Sequence, residues 1–248
     1  MSAATPSALV TGAAGGIGQA LCHAFREAGY FVHGTDTKGE PKAVDAFWPV
    51  DLAGIVHDAA QRDAFLGAIR GELDAGGLRV LVNNAAVQQL GGTESLDAAA
   101  WQRSLEVNLL APFFLTQGLL SELERARGSV VNVGSIHARL SKPGFVCYAT
   151  TKGALASLTR NLAVDLGGRV RVNCIEPAAT DTPMLRAGFA GREDAYAALA
   201  GAHPSGRIAS PEEVARVAVF LASEAASFVN GATLGVDGGI AARLHDLA

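Results

Sequence analysis

Tyr148 and Lys152 lie four positions apart in Tyr148-Ala149-Thr150-Thr151-Lys152, with Ser135 thirteen residues upstream. Near the start of the chain is a glycine-rich run, Thr11-Gly12-Ala13-Ala14-Gly15-Gly16-Ile17-Gly18. Residues i and i+4 project from one face of a helix, so the phenol and the ammonium would stand side by side as an acid/base and the cation that tunes it. A free phenol has a pKa of about 10 and is a poor base near neutrality. A fixed positive charge favours the phenolate, and each unit of downward shift is worth about 1.4 kcal/mol. The grouping points to an enzyme in which Lys152 supplies chemistry rather than fold.

A strand that ends in a glycine-rich turn and feeds a helix puts backbone N–H groups and the positive helix end where a pyrophosphate can sit. Gly12, Gly15, Gly16, Ile17 and Gly18 form that candidate cradle. Their spacing, T-G-x-x-x-G-x-G, is not the common G-x-G-x-x-G, and by itself it also fits a tight turn packed on a helix. Asp36 closes the second expected strand twenty residues after Gly16, where a carboxylate can accept hydrogen bonds from ribose hydroxyls and repel a 2′-phosphate. Gly15, not arginine, precedes Gly16, Thr37 follows Asp36, and Lys38 is the only nearby cation. The expected cofactor is therefore NAD(H) in preference to NADP(H).

The elements that must hold these residues read as short β-rich runs alternating with helical patterns. That alternation predicts an α/β fold, a Rossmann-like doubly wound parallel sheet of about seven strands with helices on both faces. Strands are expected at Ala8 to Thr11, Phe31 to Asp36, Trp48 to Val50, Leu78 to Asn83, Ser129 to Gly134, Val170 to Ile175 and Thr233 to Val236. Helices are expected at Gly16 to Ala28, His57 to Leu73, Asp97 to Leu110, Pro112 to Arg125, Tyr148 to Leu166 and Pro211 to Ala222. The last has a clear start signal, Ser210-Pro211-Glu212-Glu213. Thr182 to Arg207 breaks the alternation with helical fragments, Gly188, Gly191 and Gly201, which reads as a substrate lid or as a plain surface insertion.

At 248 residues, 49% hydrophobic and 18% charged, the chain can bury a large core as one domain spanning 1–248. A net charge of -4 without Lys/Arg runs offers no surface for nucleic acid or an anionic membrane. Cys22, Cys147 and Cys174 are odd in number and widely spaced, which argues for reduced thiols in a cytoplasm rather than a disulfide framework. Met1 to Ser7 lacks a signal-peptide pattern, and no eighteen apolar residues run together. The six histidines, His23, His33, His57, His137, His203 and His245, have no metal-site spacing.

Taken together, Thr11 to Gly18, Asp51-Leu52, Asn83-Asn84-Ala85-Ala86, Asn108, Ser135, Tyr148-x-x-x-Lys152, Pro177 to Thr182 and Val236-Asp237-Gly238-Gly239 resemble the short-chain dehydrogenase/reductase family in its compact form, across nearly the whole chain. The resemblance implies Asp51 and Leu52 beside an adenine, Asn83 and Ala85 along the cofactor, and Pro177, Thr180 and Thr182 around the nicotinamide. It implies Tyr148 as the general acid/base, Lys152 as its partner and ribose anchor, Ser135 on the substrate oxygen, and Asn108 positioning a water that links Lys152 to solvent. It also implies a homotetramer built partly on the Asp97 to Arg125 and Tyr148 to Leu166 helices. Asn83-Asn84 read alone could simply end a strand. Two departures stand out, Ala86 and Ala178 where the family usually has glycine; alanine disfavours positive φ.

Ligands of open α/β sheets bind beyond the carboxyl ends of the strands, which makes Gln88, His137, Phe145, Cys147, Glu176, Met184, Leu185 and Phe189 substrate-wall candidates alongside Ser135 and Tyr148. A period of two past Ser135 would put His137 on the serine's side, if it is not an exposed loop histidine. Glu176 before Pro177 is unusual at the end of an apolar strand, where an unpaired charge is costly; it would bind a hydroxylated substrate or pair with a local cation. With Gln88 and His137 it favours a small polar secondary alcohol or ketone, polyol or sugar-derived. The alternatives are a 3-oxoacyl thioester reductase and, in another class, a non-catalytic NAD-binding sensor or scaffold, whose expected mark, a broken Asn-Ser-Tyr-Lys set, is absent.

Overall fold

Aliphatic and β-branched runs form seven parallel strands. The computed structural model describes residues 5–39 and 41–244. Met1 to Ala4, the first part of the segment tested for a signal peptide, and His245 lie outside the described residues. In chain order the strands and helices are β1 Ser7–Thr11, α1 Gly16–Glu27, β2 Phe31–Asp36, β3 Ala46–Pro49, α2 Leu52–His57, α3 Ala59–Glu72, β4 Leu78–Asn83, α4 Ala98–Leu105, α5 Ala111–Gly118, α6 Leu120–Arg125, β5 Ser129–Val133, α7 Val146–Leu166, β6 Arg171–Pro177, α8 Pro183–Gly188, α9 Glu193–Ala202, α10 Pro211–Ala222 and β7 Thr233–Val236.

The strand order is β3-β2-β1-β4-β5-β6-β7. Every pairing is parallel, so the winding reverses between β1 and β4, the crevice where doubly wound sheets bind ligands. Side chains alternate between two layers as a period of two requires. Ala8, Val10, Val80, Val82, Val131 and Val133 pack with Leu21 and Phe25 of α1 and Val214 and Leu221 of α10. Leu9, Leu81, Val130 and Val172 pack with Ile69 of α3, Leu115 and Leu123 of α5 and α6, and Leu162 of α7. Each fully buried aliphatic side chain contributes about 1.5–3 kcal/mol. No helix among the described residues is long and apolar enough to cross a membrane.

The expected elements are present, with several boundaries moved. The helix expected over His57 to Leu73 is α3, starting at Ala59, and an unexpected short helix, α2, precedes it; Asp58 ends α2 and its carboxylate caps α3, accepting from Ala60 N at 2.9 Å and Gln61 N at 3.1 Å. The helix expected to run to Leu110 gives way to a π turn over Glu106–Leu110. The next begins at Ala111 and is interrupted at Leu119. The third strand is Ala46–Pro49 rather than Trp48 to Val50, and the sixth extends to Pro177. α7 starts two residues before Tyr148, at Val146.

A buried polar ladder ties the sheet to α7. Asn83 Nδ2 donates to Asn132 Oδ1 at 2.8 Å, and Asn132 Nδ2 donates to Thr159 Oγ1 at 2.9 Å. These side chains are at most 3% exposed, so removing the middle one strands a buried donor. Asn132→Ala is expected to lower stability by about 2–3 kcal/mol in urea denaturation followed by circular dichroism; a loss under about 0.5 kcal/mol would show that the ladder does not hold β4, β5 and α7 together.

Candidate active site

β1 runs into Gly12 at φ +65°, where an added Cβ would stand 2.8 Å from the Ala85 Cα, and a Cβ on Gly18 would stand 1.9 Å from the Gly12 carbonyl oxygen. Those two positions admit only glycine. Gly15 caps α1 without a side-chain hydrogen bond, so the N–H groups of the first turn, at Gly16, Ile17 and Gly18, are available to an external acceptor. A Cβ on Gly16 would meet the Thr182 side chain at 2.9 Å, which brings the start of the 182–207 segment onto the turn. The Thr11 hydroxyl accepts from the N–H groups of Asn84 and Ala85, both at 3.0 Å, while the Asn84 amide donates to the carbonyls of Thr11 at 2.9 Å and Gly12 at 3.1 Å. Asn84 is therefore a brace between β1 and β4, and Ala85 is pressed against the turn.

Asp36 Oδ2 accepts from Ala14 N at 3.0 Å and Oδ1 from Thr37 N at 2.7 Å. Asp51 caps α2, accepting from Ala53 N at 3.1 Å, and pairs with Arg103 Nη1 at 2.9 Å; that guanidinium holds its carboxyl below the usual range. Leu52 is buried in the core layer beneath. Pro177 ends β6, Thr180 is buried with its hydroxyl donating to Ala178 O at 3.3 Å, and Thr182 caps α8, accepting from Leu185 N at 3.2 Å. Among the described residues Arg127 is the only non-glycine at positive φ, so Ala86 and Ala178 have conventional backbones and the two departures leave the chain path unstrained. An uncapped, side-chain-free helix start with a carboxylate at the end of the neighbouring strand fits a dinucleotide, pyrophosphate on the turn and ribose at Asp36.

Ser135 follows β5, is buried, and caps a 3-10 turn over Ile136–Ala138, its Oγ accepting from His137 N at 3.2 Å. Tyr148 stands in the first turn of α7. Burial pushes its phenol above the usual value and a hydrogen bond with Ser135 pulls it back. Lys152 is 2% exposed; its Nζ donates to Val133 O at 2.7 Å and sits 5.8 Å from the Tyr148 ring centre. The net shift of the phenol is upward, set by burial against the Ser135 hydrogen bond, and the ammonium is itself lowered, by desolvation, to about 8.

Asn108 lies on the π turn, a feature often found at functional sites. Its Oδ1 accepts from Val87 N at 2.8 Å, and its Nδ2 donates to Val87 O at 2.9 Å and Thr151 Oγ1 at 3.0 Å. The amide expected to position a water is therefore committed to joining the π turn, the chain after β4 and α7.

The substrate-wall candidates separate. His137, Phe145 and Tyr148 form a ring cluster, with centres 4.4 Å apart for His137 and Phe145, 6.2 Å for His137 and Tyr148, and 6.1 Å for Phe145 and Tyr148. Burial lowers the His137 pKa, so the ring is neutral at pH 7, and its Nδ1 hydrogen-bonds Leu140 O at 3.0 Å. Glu176 is 1% exposed and bonded by Arg139 Nε at 2.8 Å, so of its two expected partners the local cation is the one present. Cys147 turns away, buried with its Sγ 3.9 Å from Ala100 O on α4. Gln88 is exposed beside the Asn108-held Val87, Met184 is 65% exposed on α8, and Leu185 and Phe189 are half-buried, with Phe189 edge-on to Tyr196.

Sequence reasoning missed Arg139 and Thr151, which sit beside expected residues but whose partners are distant in the chain. It also missed the order within 182–207: Asp181 accepts from Arg186 Nε at 2.7 Å and Tyr196 Oη at 2.9 Å, tying α8 to α9. The expected helical fragments are α8 and α9, joined and followed by turns. Two surface cavities, about 250 Å³ at His203, Ser205 and Arg207 and about 430 Å³ along α10 and β7, lie away from Tyr148.

A parallel sheet with an open glycine turn and a Ser-Tyr-Lys set beyond β5 defines a dinucleotide-dependent oxidoreductase fold. A family profile described as enoyl-(acyl carrier protein) reductase matches residues 12–241, and the chain belongs to the short-chain dehydrogenase/reductase family, whose members bind a nicotinamide dinucleotide. It is 37% identical over 242 residues to D-threitol dehydrogenase of Mycolicibacterium smegmatis, covering 94% of this chain and 91% of that one. Ligand-free aldohexose dehydrogenase of Thermoplasma acidophilum superposes with a TM-score of 0.91 at 31% identity, covering 98% and 97%. A Beutenbergia cavernae protein named as an NAD(P)-dependent gluconate 5-dehydrogenase, solved with NADP, superposes with a TM-score of 0.86 at 34% identity, covering 98% and 99%. Other relatives of similar identity are named for cyclic and steroid alcohols.

Because the folded Lys152 pKa lies below that of an exposed lysine, the native state binds fewer protons than the unfolded one above about pH 8. The burial cost is full below that pH and relieved as pH rises. Lys152→Met is expected to raise stability at pH 7 by about 1–3 kcal/mol while abolishing turnover; a stability gain that is absent at pH 7, or a Lys152 NMR titration midpoint near 10, would contradict the buried-cation assignment.

Proposed function

We propose that this protein is an NAD-dependent oxidoreductase acting on the secondary hydroxyl of a small polar alcohol, polyol or sugar-derived, and reducing the matching ketone. The observation that carries the reading is the convergence of Ser135, Tyr148 and Lys152 beyond β5, at the end of the sheet where the glycine turn leaves its backbone donors open. A nicotinamide dinucleotide held here would supply a hydride acceptor for the carbinol hydrogen and its electron pair. Tyr148 takes the hydroxyl proton in oxidation and returns it in reduction. The Ser135 hydroxyl orients the reacting oxygen, and the His137 and Phe145 rings wall it on one side.

Lys152 holds the nicotinamide ribose in this reading and keeps its charge below about pH 8, which favours phenolate when the proton leaves Tyr148. Gly12, Gly15, Gly16, Ile17 and Gly18 hold the pyrophosphate. Asp51 and Leu52 border the adenine, Asn83, Ala85 and Pro177 border the cofactor, and Thr180 and Thr182 border the carboxamide. Thr182–Arg207 acts as a lid on a single domain, with Met184 on its first helix. The names of the threitol, aldohexose and gluconate relatives support a polyhydroxylated substrate. The reading also carries a cytoplasmic homotetramer.

NAD is favoured over NADP by the Asp36 carboxylate, although the Beutenbergia relative holds NADP. A 3-oxoacyl thioester reductase is the second reading, favoured by the acyl-carrier description of the matching family profile. The test is a panel of polyols, aldonates, sterols and an acetoacetyl thioester with NAD, NADP and their reduced forms, read at the reduced-nicotinamide absorbance. Turnover of polyols or aldonates with NAD is expected; activity confined to sterols or the thioester would overturn the substrate class, and NADPH binding about tenfold tighter than NADH would overturn the cofactor preference. Tyr148→Phe is expected to lower kcat by at least about 100-fold with cofactor affinity nearly unchanged, measured by NADH fluorescence; wild-type turnover would refute the role of the phenol.

A further inference from the structure

Ser135 and Arg139 are the two ends of one turn, Ser135 as its N-cap and Arg139 as its C-cap. Glu176, on β6, abuts the residue before one end and bonds the other. A Cβ on Gly134 would come within 3.2 Å of the Glu176 Cγ and 2.8 Å of the Cys174 Sγ, so the Glu176 stem and its neighbour two residues earlier occupy the side-chain space of the residue just before Ser135. At the other end the Glu176 Oε2 accepts from Arg139 Nε at 2.8 Å. Gly235, paired with Glu176 across the β6–β7 register, has no side chain, and the Arg139 Nη2 lies 3.6 Å from where its Cβ would be. The guanidinium therefore passes beside β7 at Gly235, where a larger side chain would meet it, and bonds Glu176. Asp237 is close to Gly235 on the same side, but the bond is to Glu176.

The arrangement is a poor stabiliser taken alone. Glu176 is 1% exposed and its Oε1 is buried with no partner among the described residues, whereas a buried carboxylate repays its desolvation only when its lone pairs are satisfied. Residues such as Cys174 and Ile175 fill neighbouring places on the strand without that cost. What the carboxylate achieves is a fixed Arg139, and with it a fixed turn.

We infer that Glu176 is a positioning residue: through Arg139 it sets the turn that carries the Ser135 hydroxyl and the His137 ring, and it does not touch the substrate. The inference rests on the proposed role of Ser135, and it places Glu176 behind the wall rather than in it.

The test is a kinetic double-mutant cycle of Glu176→Gln, Arg139→Gln and the double variant, with Ser135→Ala alongside, using the panel alcohol of highest kcat/KM. Each single variant is expected to lower kcat about tenfold while leaving the alcohol KM within about threefold and NADH affinity unchanged, and the double variant is expected to be no slower than the slower single. Hydrogen exchange of the Ala138, Arg139 and Leu140 amides, whose acceptors are backbone carbonyls rather than the Ser135 hydroxyl, read by mass spectrometry without substrate, is expected to rise in both single variants. Arg139 is half-exposed, so Arg139→Gln keeps the test open if Glu176→Gln does not fold. Unchanged kcat in a folded variant, additive losses in the double, or a raised alcohol KM at unchanged kcat would overturn the inference, the last by putting Glu176 on the substrate. If Ser135→Ala keeps wild-type turnover, the catalytic reading fails instead, and the inference falls with it by a separate route.

Discussion

A lysine ammonium inside the protein, held by the Val133 carbonyl at 2.7 Å, is the constraint around which the rest is arranged. A primary ammonium has three protons to satisfy and loses its hydration on burial, so α7 must stay in register with the end of β5 for the charge to be tolerated. That register fixes much else. Val133 is two residues before Ser135, and Lys152 is one turn after Tyr148, so a bond made for the cation also sets the serine and the phenol against one another. Desolvation lowers the pKa of Lys152 to about 8, so holding the ammonium here costs stability at neutral pH. On the proposed reading this cost is borne where the chemistry needs a charge next to a buried phenol.

The surrounding polar contacts all act on the same joint between sheet and helix. Asn132 joins β4 to α7 through Asn83 and Thr159. Asn108 joins α7 to the π turn through Thr151, the residue beside Lys152. The irregular helical turn at Glu106–Leu110 brings an amide side chain to bear on a neighbouring helix and on the Val87 backbone at once. Glu176 and Arg139 close the outer side of the Ser135 turn. Each link spans elements far apart in the chain, so the site is rigid where its parts meet although several of them come from loops.

This separation explains what could be read from the sequence. The glycine positions were legible because the alternatives are sterically impossible: nothing larger passes the Gly12 carbonyl at Gly18. The Tyr148/Lys152 pair was legible because helical spacing alone places both residues on one face. Strands and helices were legible from periodicity, apart from their ends. Asp58 ends one helix and caps the next, which residue type alone cannot distinguish from a helical interior or a single cap. The π turn leaves the apolar pattern nearly intact while shifting register by one residue, so it read as plain helix. The Glu176–Arg139 bond joins residues 37 positions apart, and the sequence offered only that a buried acid needs a partner. The sign at Tyr148 was hardest, since the sequence shows a cation one turn away but not how far the phenol is removed from water, and in the folded chain burial raises it.

Asp36 shows how one side chain can join fold to selectivity. Its Oδ2 accepts from Ala14 N at 3.0 Å, inside the glycine turn, while Oδ1 takes the N–H of Thr37 at 2.7 Å. A carboxylate has about four acceptor sites, so capacity remains for ribose hydroxyls after both backbone bonds are made. A residue chosen to welcome a 2′-phosphate would remove the repulsion and also the acceptor that orients Ala14. The turn already depends on close backbone approach at Gly12 and Gly18, and losing a bond at Ala14 would loosen it. On the proposed reading, cofactor preference and turn geometry are therefore coupled through this one carboxylate, and a change of preference in this chain requires a second substitution that holds the Ala14 backbone in place of Asp36.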